Sequence, residues 1–304
     1  MRVARLIFVT GKGGVGKTTV AAALGQRCAD QGQRTLIIET ANDGSLAQIF
    51  GHRRLSATPQ RLHARLDAVR VDARELVEQY FGRLLRFEWL SQRLLTSNTF
   101  NALTAAAPGI TEFLLLEKIL GWVEPGLGSR RRGYDMVIVD GPATGHALKL
   151  LSTPRRIATM VPGGPLGRTA RRLLALFADH QRTRVVLVSL PEEMAVKETI
   201  EMQQALEGDL AVHVTRPVIN RVFPRHFTAA EAAQVDRLDG ETPAQVRAAV
   251  HFAIACRREA ERHVSHLRRA LAVRPLMLRQ LIVGRVHATD LRAFGRTLER
   301  LVAN

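Results

Sequence analysis

Residues 11–19 read Gly11-Lys12-Gly13-Gly14-Val15-Gly16-Lys17-Thr18-Thr19, and they constrain the chain more than any other stretch. The apolar run Leu6-Ile7-Phe8-Val9 precedes them and Val20-Ala21-Ala22-Ala23-Leu24 follows. The pattern is G-x-x-x-x-G-K-T between a strand and a helix, the context in which it builds a phosphate cradle. Glycines let the chain curl so that successive backbone N–H groups face inward, and a helix starting near Lys17 adds its positive dipole end. Such a loop binds a nucleoside triphosphate. Gly11, Gly13, Gly14, Val15 and Gly16 line the phosphates and Lys17 reaches the β- and γ-phosphates. Thr18 puts its hydroxyl on Mg²⁺, and Thr19 contacts the α-phosphate side.

A second buried strand, Thr35-Leu36-Ile37-Ile38-Glu39, follows the first helix and opens into Thr40-Ala41-Asn42-Asp43-Gly44-Ser45-Leu46. Its continuous apolar character is that of a parallel sheet covered on both faces. A third strand is read at 68–72, and helical periodicity runs from residue 73 to about 122 with a break at Ala107-Pro108-Gly109. The segment Tyr134-Asp135-Met136-Val137-Ile138-Val139-Asp140 is an apolar strand ending in a carboxylate. That arrangement sets Asp140 at the sheet's carboxyl edge to hold Mg²⁺ through water. Further strands are read at 184–190 and 214–220. Long helices cover 242–271 and the closing segment, where Leu291, Phe294, Leu298, Leu301 and Val302 share one face. The reading is one α/β domain over residues 1–304, a mostly parallel sheet with helices on both faces and a helical cap at about 73–132.

The formal charge of +16 raises the question of an anionic partner. Lysine occurs only at 12, 17, 118, 149 and 197, so the excess is arginine. Aromatics are 5%, too few to interleave with basic runs as a nucleic-acid stacking platform requires. Solvated surface is the favoured reading, with membrane or nucleic acid as the alternative. No run of eighteen apolar residues occurs and Met1-Arg2-Val3 leads directly into the first strand. The expectation is therefore a cytoplasmic chain, with peripheral membrane association as the variant. Cys28 and Cys256 sit far apart in predicted helices and no C-x-x-C pair exists, which argues against a zinc clasp or a soft-metalloid thiolate site.

Lys12 occupies a position the minimal motif leaves free, and Lys12-Gly13-Gly14-Val15-Gly16-Lys17-Thr18 resembles the deviant-Walker group of ATPases, with its MinD, ParA and arsenite-pump/tail-anchor-targeting branches. The run Asp140-Gly141-Pro142-Ala143-Thr144-Gly145-His146-Ala147-Leu148-Lys149-Leu150-Leu151 is similar to switch II of the arsenite-pump/tail-anchor branch, with the proline and alanine exchanged. The resemblance implies an ATPase that converts ATP to ADP and phosphate at a two-fold interface, as a homodimer or paralogous heterodimer acting on an unidentified client. Lys12 is then an intersubunit catalytic lysine. Gly141, Pro142, Thr144, Gly145 and His146 form the nucleotide-sensing segment, and Asn220, Pro275 and Leu276 lie beside the adenine. The family's water-orienting aspartate falls on Ala41, leaving Asp43 or Glu39 as the substitute. A MinD/ParA-type positioning ATPase and a slow nucleotide-dependent scaffold stand as the alternatives.

Overall fold

The computed structural model describes residues 5–41, 44–85, 109–125, 133–237, 243–281 and 286–302. All eight strands join one sheet in the order β3-β4-β2-β5-β1-β6-β7-β8, and every neighbouring pair is parallel except β3 with β4. These are β1 Arg5–Gly11, β2 Thr35–Glu39, β3 Gln60–His63, β4 Leu66–Arg70, β5 Met136–Asp140, β6 Thr183–Ser189, β7 Val218–Val222 and β8 Leu276–Arg279. The central strands β1, β2 and β5 read as unbroken apolar runs because both faces are covered. In β1, Leu6 and Phe8 join the core on one side of the sheet, Ile7 and Val9 the core on the other.

The first core is closed by α4 (Ile110–Val123), α5 (Thr144–Met160), α6 (Gly164–Ala178) and the end of α7 (Glu193–Gln204). There Phe8 meets Phe177 edge to face at 5.9 Å, a favoured aromatic geometry. The second core is closed by α1 (Lys17–Asp30), α2 (Ser45–Ile49) and the terminal helix α10 (Ala288–Val302). α10 commits its whole apolar face, Leu291, Phe294, Leu298, Leu301 and Val302, to this packing. Gly295 marks the closest approach: a Cβ there would lie 3.0 Å from Cβ of Arg27 and 3.1 Å from the carbonyl of Ala23 on α1. α3 (Ala73–Leu85), α8 (Ala229–Arg237) and α9 (Ala244–Leu271) complete the described α-helices, and a π-helical turn at Ala205–Asp209 follows α7.

Several boundaries differ from the sequence reading. The edge hairpin β3–β4 was not anticipated, and β4 begins two residues earlier than the strand read at 68–72. The segment 214–220 is not one strand. Val214 makes a single bridge to Val185, and regular pairing starts at Val218, after Pro217, which has no N–H to give a ladder. The interval after Asp140 holds two helices, and α5 continues through Pro154 to Met160. Of the expected cap, residues 73–85 and 110–123 are helical; residues 86–108 and 126–132 lie outside the described residues.

Candidate nucleotide site

The ends of β1, β2 and β5 stand side by side, with Val9 opposite Asp140 and Asp140 opposite Glu39. Beyond them the loop after β1 turns into α1 through glycines that only Gly accommodates. Gly11 has φ +152° and a Cβ on it would lie 2.0 Å from the carbonyl of Val188; Gly16 has φ +93°. A cavity of about 620 Å³ opens at this carboxyl edge. Gly14, Gly16, Lys17, Thr18 and Thr19 line it from the loop, Ala41 and Ser45 from the segment after β2, and Asp140 and Gly141 from β5. A second cavity of equal volume lies at the amino edge between Arg34, Asp67, Lys118, Trp122 and Tyr134. Size does not choose between them; the curled loop, the helix start and the carboxylate do.

Three hard oxygen donors line the cavity at the carboxyl edge. The hydroxyls of Thr18 and Ser45 are 3.5 Å apart, and Asp140 is 2% exposed on the same cavity. A hydroxyl and a carboxylate beside a phosphate cradle suit Mg²⁺, which keeps most of its waters and takes one or two protein oxygens plus phosphate. Thr40 donates to the carbonyl of Asp140 through its hydroxyl at 2.7 Å and its N–H at 3.3 Å, tying the segment after β2 to the end of β5. Gly141 N–H donates to the Val9 carbonyl at 2.9 Å and the Thr10 hydroxyl donates to the Pro142 carbonyl at 2.8 Å, so the start of the segment after β5 is sewn to β1.

Other residues named from sequence stand elsewhere. Glu39 does not line the cavity: it is buried and its Oε1 accepts the N–H of Leu46, fixing the start of α2. Asp43 lies outside the described residues. Gly145 and His146 are exposed in the first turn of α5, away from the cavity. Leu276 is buried in the second core, and neither it nor Pro275 lines the cavity. Lys12 turns away to α7, where its ammonium pairs with Glu198 at 2.8 Å, while its carbonyl accepts Lys17 Nζ at 3.1 Å.

Asn220 holds the loop in place. The register slips between Ile219 and Val222, and Arg221 adopts φ +52°, rare for a residue with a side chain. Such a bulge re-aims a side chain, here that of Asn220. Its Nδ2 donates to the Val15 carbonyl at 2.9 Å and its Oδ1 accepts the Arg221 N–H at 2.9 Å. A Cβ on Gly16 would fall 2.3 Å from that Nδ2, so glycine is required for the brace as well as for the backbone. Sequence reading missed Gln48, His52, Arg53 and Val286 as cavity residues. The only hint was the Phe50-Gly51 turn after α2, which swings His52 and Arg53 back toward the phosphate loop.

Residues 4–162 match the family model described as anion-transporting ATPase. The chain belongs to that family. Among curated relatives, ATPase BagA of Mycobacterium tuberculosis is 27% identical over 245 residues, covering 79% of this chain and 71% of that one. A putative arsenical pump-driving ATPase of Halobacterium salinarum is 28% identical over 243 residues, 73% of this chain and 36% of its own. An arsenical pump-driving ATPase of Escherichia coli is 26% identical over 236 residues, 72% of this chain and 39% of its own. The matched family region contains the phosphate loop, β5 and the whole of α5. In this member of the anion-transporting ATPase family, every residue lining the carboxyl-edge cavity except Val286 falls within the matched region. Among the described residues no helix is long and apolar enough to cross a membrane, and no three His, Cys, Asp or Glu side chains are grouped to hold a metal ion.

Proposed function

We propose that this ATPase binds Mg²⁺·ATP in the carboxyl-edge cavity and hydrolyses it to ADP and phosphate as a dimeric switch, its nucleotide state setting the binding or release of a protein client. The observation that carries the reading is the convergence of Lys17, Thr18, Thr19 and Asp140 on one cavity. Lys17 and the loop N–H groups hold the phosphates, Thr19 contacts the α-phosphate side, and Asn220 braces the loop through the Val15 carbonyl. Thr18 and Asp140 would hold Mg²⁺, which when bound neutralises phosphate charge. Arg53 brings a second cation to the rim, and His52 stands beside it. Glu39 is engaged with Leu46, so Asp43 is the acid assigned to orient the attacking water. One phosphate loop per chain makes pairing a matter of a second subunit, and Lys12 is the residue assigned to cross the interface.

The MinD/ParA-type alternative gains no support from α10, whose apolar face is spent on α1. Arg27, Arg61, Arg70, Arg74, Arg172, Arg182 and Arg257 pair with carboxylates within the chain, which leaves the surplus of +16 unchanged and an anionic partner as the alternative. Phosphate release at saturating ATP and Mg²⁺ tests the reading. Lys17→Ala and Asp140→Asn are expected to lose about 10²-fold or more, Asp43→Ala to lose turnover while still binding ATP, and Glu39→Gln, which keeps the acceptor for Leu46, to retain it. Turnover by Lys17→Ala at the wild-type rate would end the proposal.

A further inference from the structure

The carboxylate of Glu198, midway along α7, grips two parts of the nucleotide machinery at once. Oε1 takes the ammonium of Lys12 at 2.8 Å, and Oε2 accepts the hydroxyl of Thr144, the first residue of α5, at 3.2 Å. The helix has little freedom to withdraw it, because Ala195, Val196 and Thr199 on the neighbouring face are buried. Three consecutive contacts therefore run from the phosphate loop to the switch segment: Lys17 Nζ on the Lys12 carbonyl, Lys12 Nζ on Glu198, and Thr144 on Glu198.

We propose that Glu198 is a latch that holds Lys12 within its own subunit and couples its release to nucleotide. The inference rests on the reading of Lys12 as an intersubunit residue. A lysine paired at 2.8 Å inside one subunit cannot at the same time reach a second one, so the pair must open before the subunits share a nucleotide. Phosphate draws Lys17 from the Lys12 carbonyl, since a multiply charged anion outcompetes a neutral acceptor. Movement of the segment that begins at Thr144 removes the second grip on the same carboxylate. Glu198 is thus a positioning residue: it touches neither phosphate nor the attacking water, and acts through Lys12 and Thr144. Its removal should favour pairing of subunits, whereas a merely structural loss would weaken it.

The pair is partly exposed, with Lys12 and Glu198 side chains 38% and 29% accessible, so opening one latch is worth a factor of about two to five. A dimer opens two, and the apparent dissociation constant should fall about four- to twenty-five-fold in Glu198→Gln. Sedimentation velocity of the full chain, without nucleotide and with Mg²⁺ and adenylyl imidodiphosphate, measures this for wild type, Glu198→Gln and Glu198→Asp. The latch predicts tighter pairing of Glu198→Gln and a return toward wild type in Glu198→Asp. If wild type pairs and Glu198→Gln pairs equally or more weakly, the latch is overturned and the dimer reading stands. If wild type does not pair with any nucleotide, the dimer reading fails and the latch with it. Should Glu198→Gln not fold, Thr144→Val removes one grip alone and must tighten pairing by a smaller factor of about two; no tightening overturns the proposal.

Discussion

Replacing Asn220 by alanine removes both ends of the brace that fixes the phosphate loop. The Val15 carbonyl loses the Nδ2 donor at 2.9 Å and the Arg221 N–H loses its acceptor at 2.9 Å, within a site where Asn220 is 6% exposed. Leaving one buried carbonyl unsatisfied costs about 1–3 kcal/mol, equivalent to about five- to 150-fold in an equilibrium constant. Because the lost bond shapes the loop and not the base, the penalty should fall on phosphate binding. Calorimetric Kd values for ATP and for inorganic tripolyphosphate are expected to rise by the same factor in Asn220→Ala. Asn220→Asp should be worse, since a carboxylate oxygen would then face the Val15 carbonyl with no proton to share. A rise for ATP with tripolyphosphate unchanged would make Asn220 a reader of adenine, and no change for either ligand would refute the brace altogether.

Two further outcomes follow from the packing and from one titrating group. Leu298 on α10 is fully buried against α1, so Leu298→Ala should destabilise by about 2–5 kcal/mol. Gly295→Ala should also destabilise by wedging the same helices apart; both are read as a lowered denaturant midpoint at constant m, and an unchanged midpoint would mean α10 is not seated as described. Burial, then the stacked neighbour His180 at 5.2 Å, holds His213 below its ordinary value of 6.5. Protons then bind the unfolded chain first, so the stability attached to this group is complete above about pH 6.5 and is lost as pH falls through the folded pKa. His213→Gln should flatten the acid side of the stability profile; an unaltered slope between pH 7 and 5 would contradict it.

The parts of this molecule legible in its sequence are those whose physics is local. A glycine-rich turn between strand and helix, and an apolar strand ending at Asp140, each declare themselves within ten or so residues, and their meeting follows from parallel-sheet topology. The details that were not legible depend on partners remote in the chain. Asn220 reaches Val15 across 205 positions and does so only because of a bulge at Arg221 that no propensity announces. Lys12 finds Glu198 on a helix whose periodicity marks it as ordinary amphipathic surface. His52 and Arg53 belong to no motif that would mark them, yet they line the cavity. The helix through Pro154 shows tertiary packing of Leu150, Leu151 and Thr153 overriding a local breaker.

Titration calorimetry with ATP, in the presence and absence of Mg²⁺, bears most directly on whether residues 14–19 and 140–141 serve one nucleotide. Wild type should bind one ATP per chain, more tightly with Mg²⁺; Lys17→Ala should give no measurable heat, and Asp140→Asn should bind ATP equally with and without the cation. Full binding by Lys17→Ala, or the same Mg²⁺ dependence in Asp140→Asn as in wild type, would contradict the account.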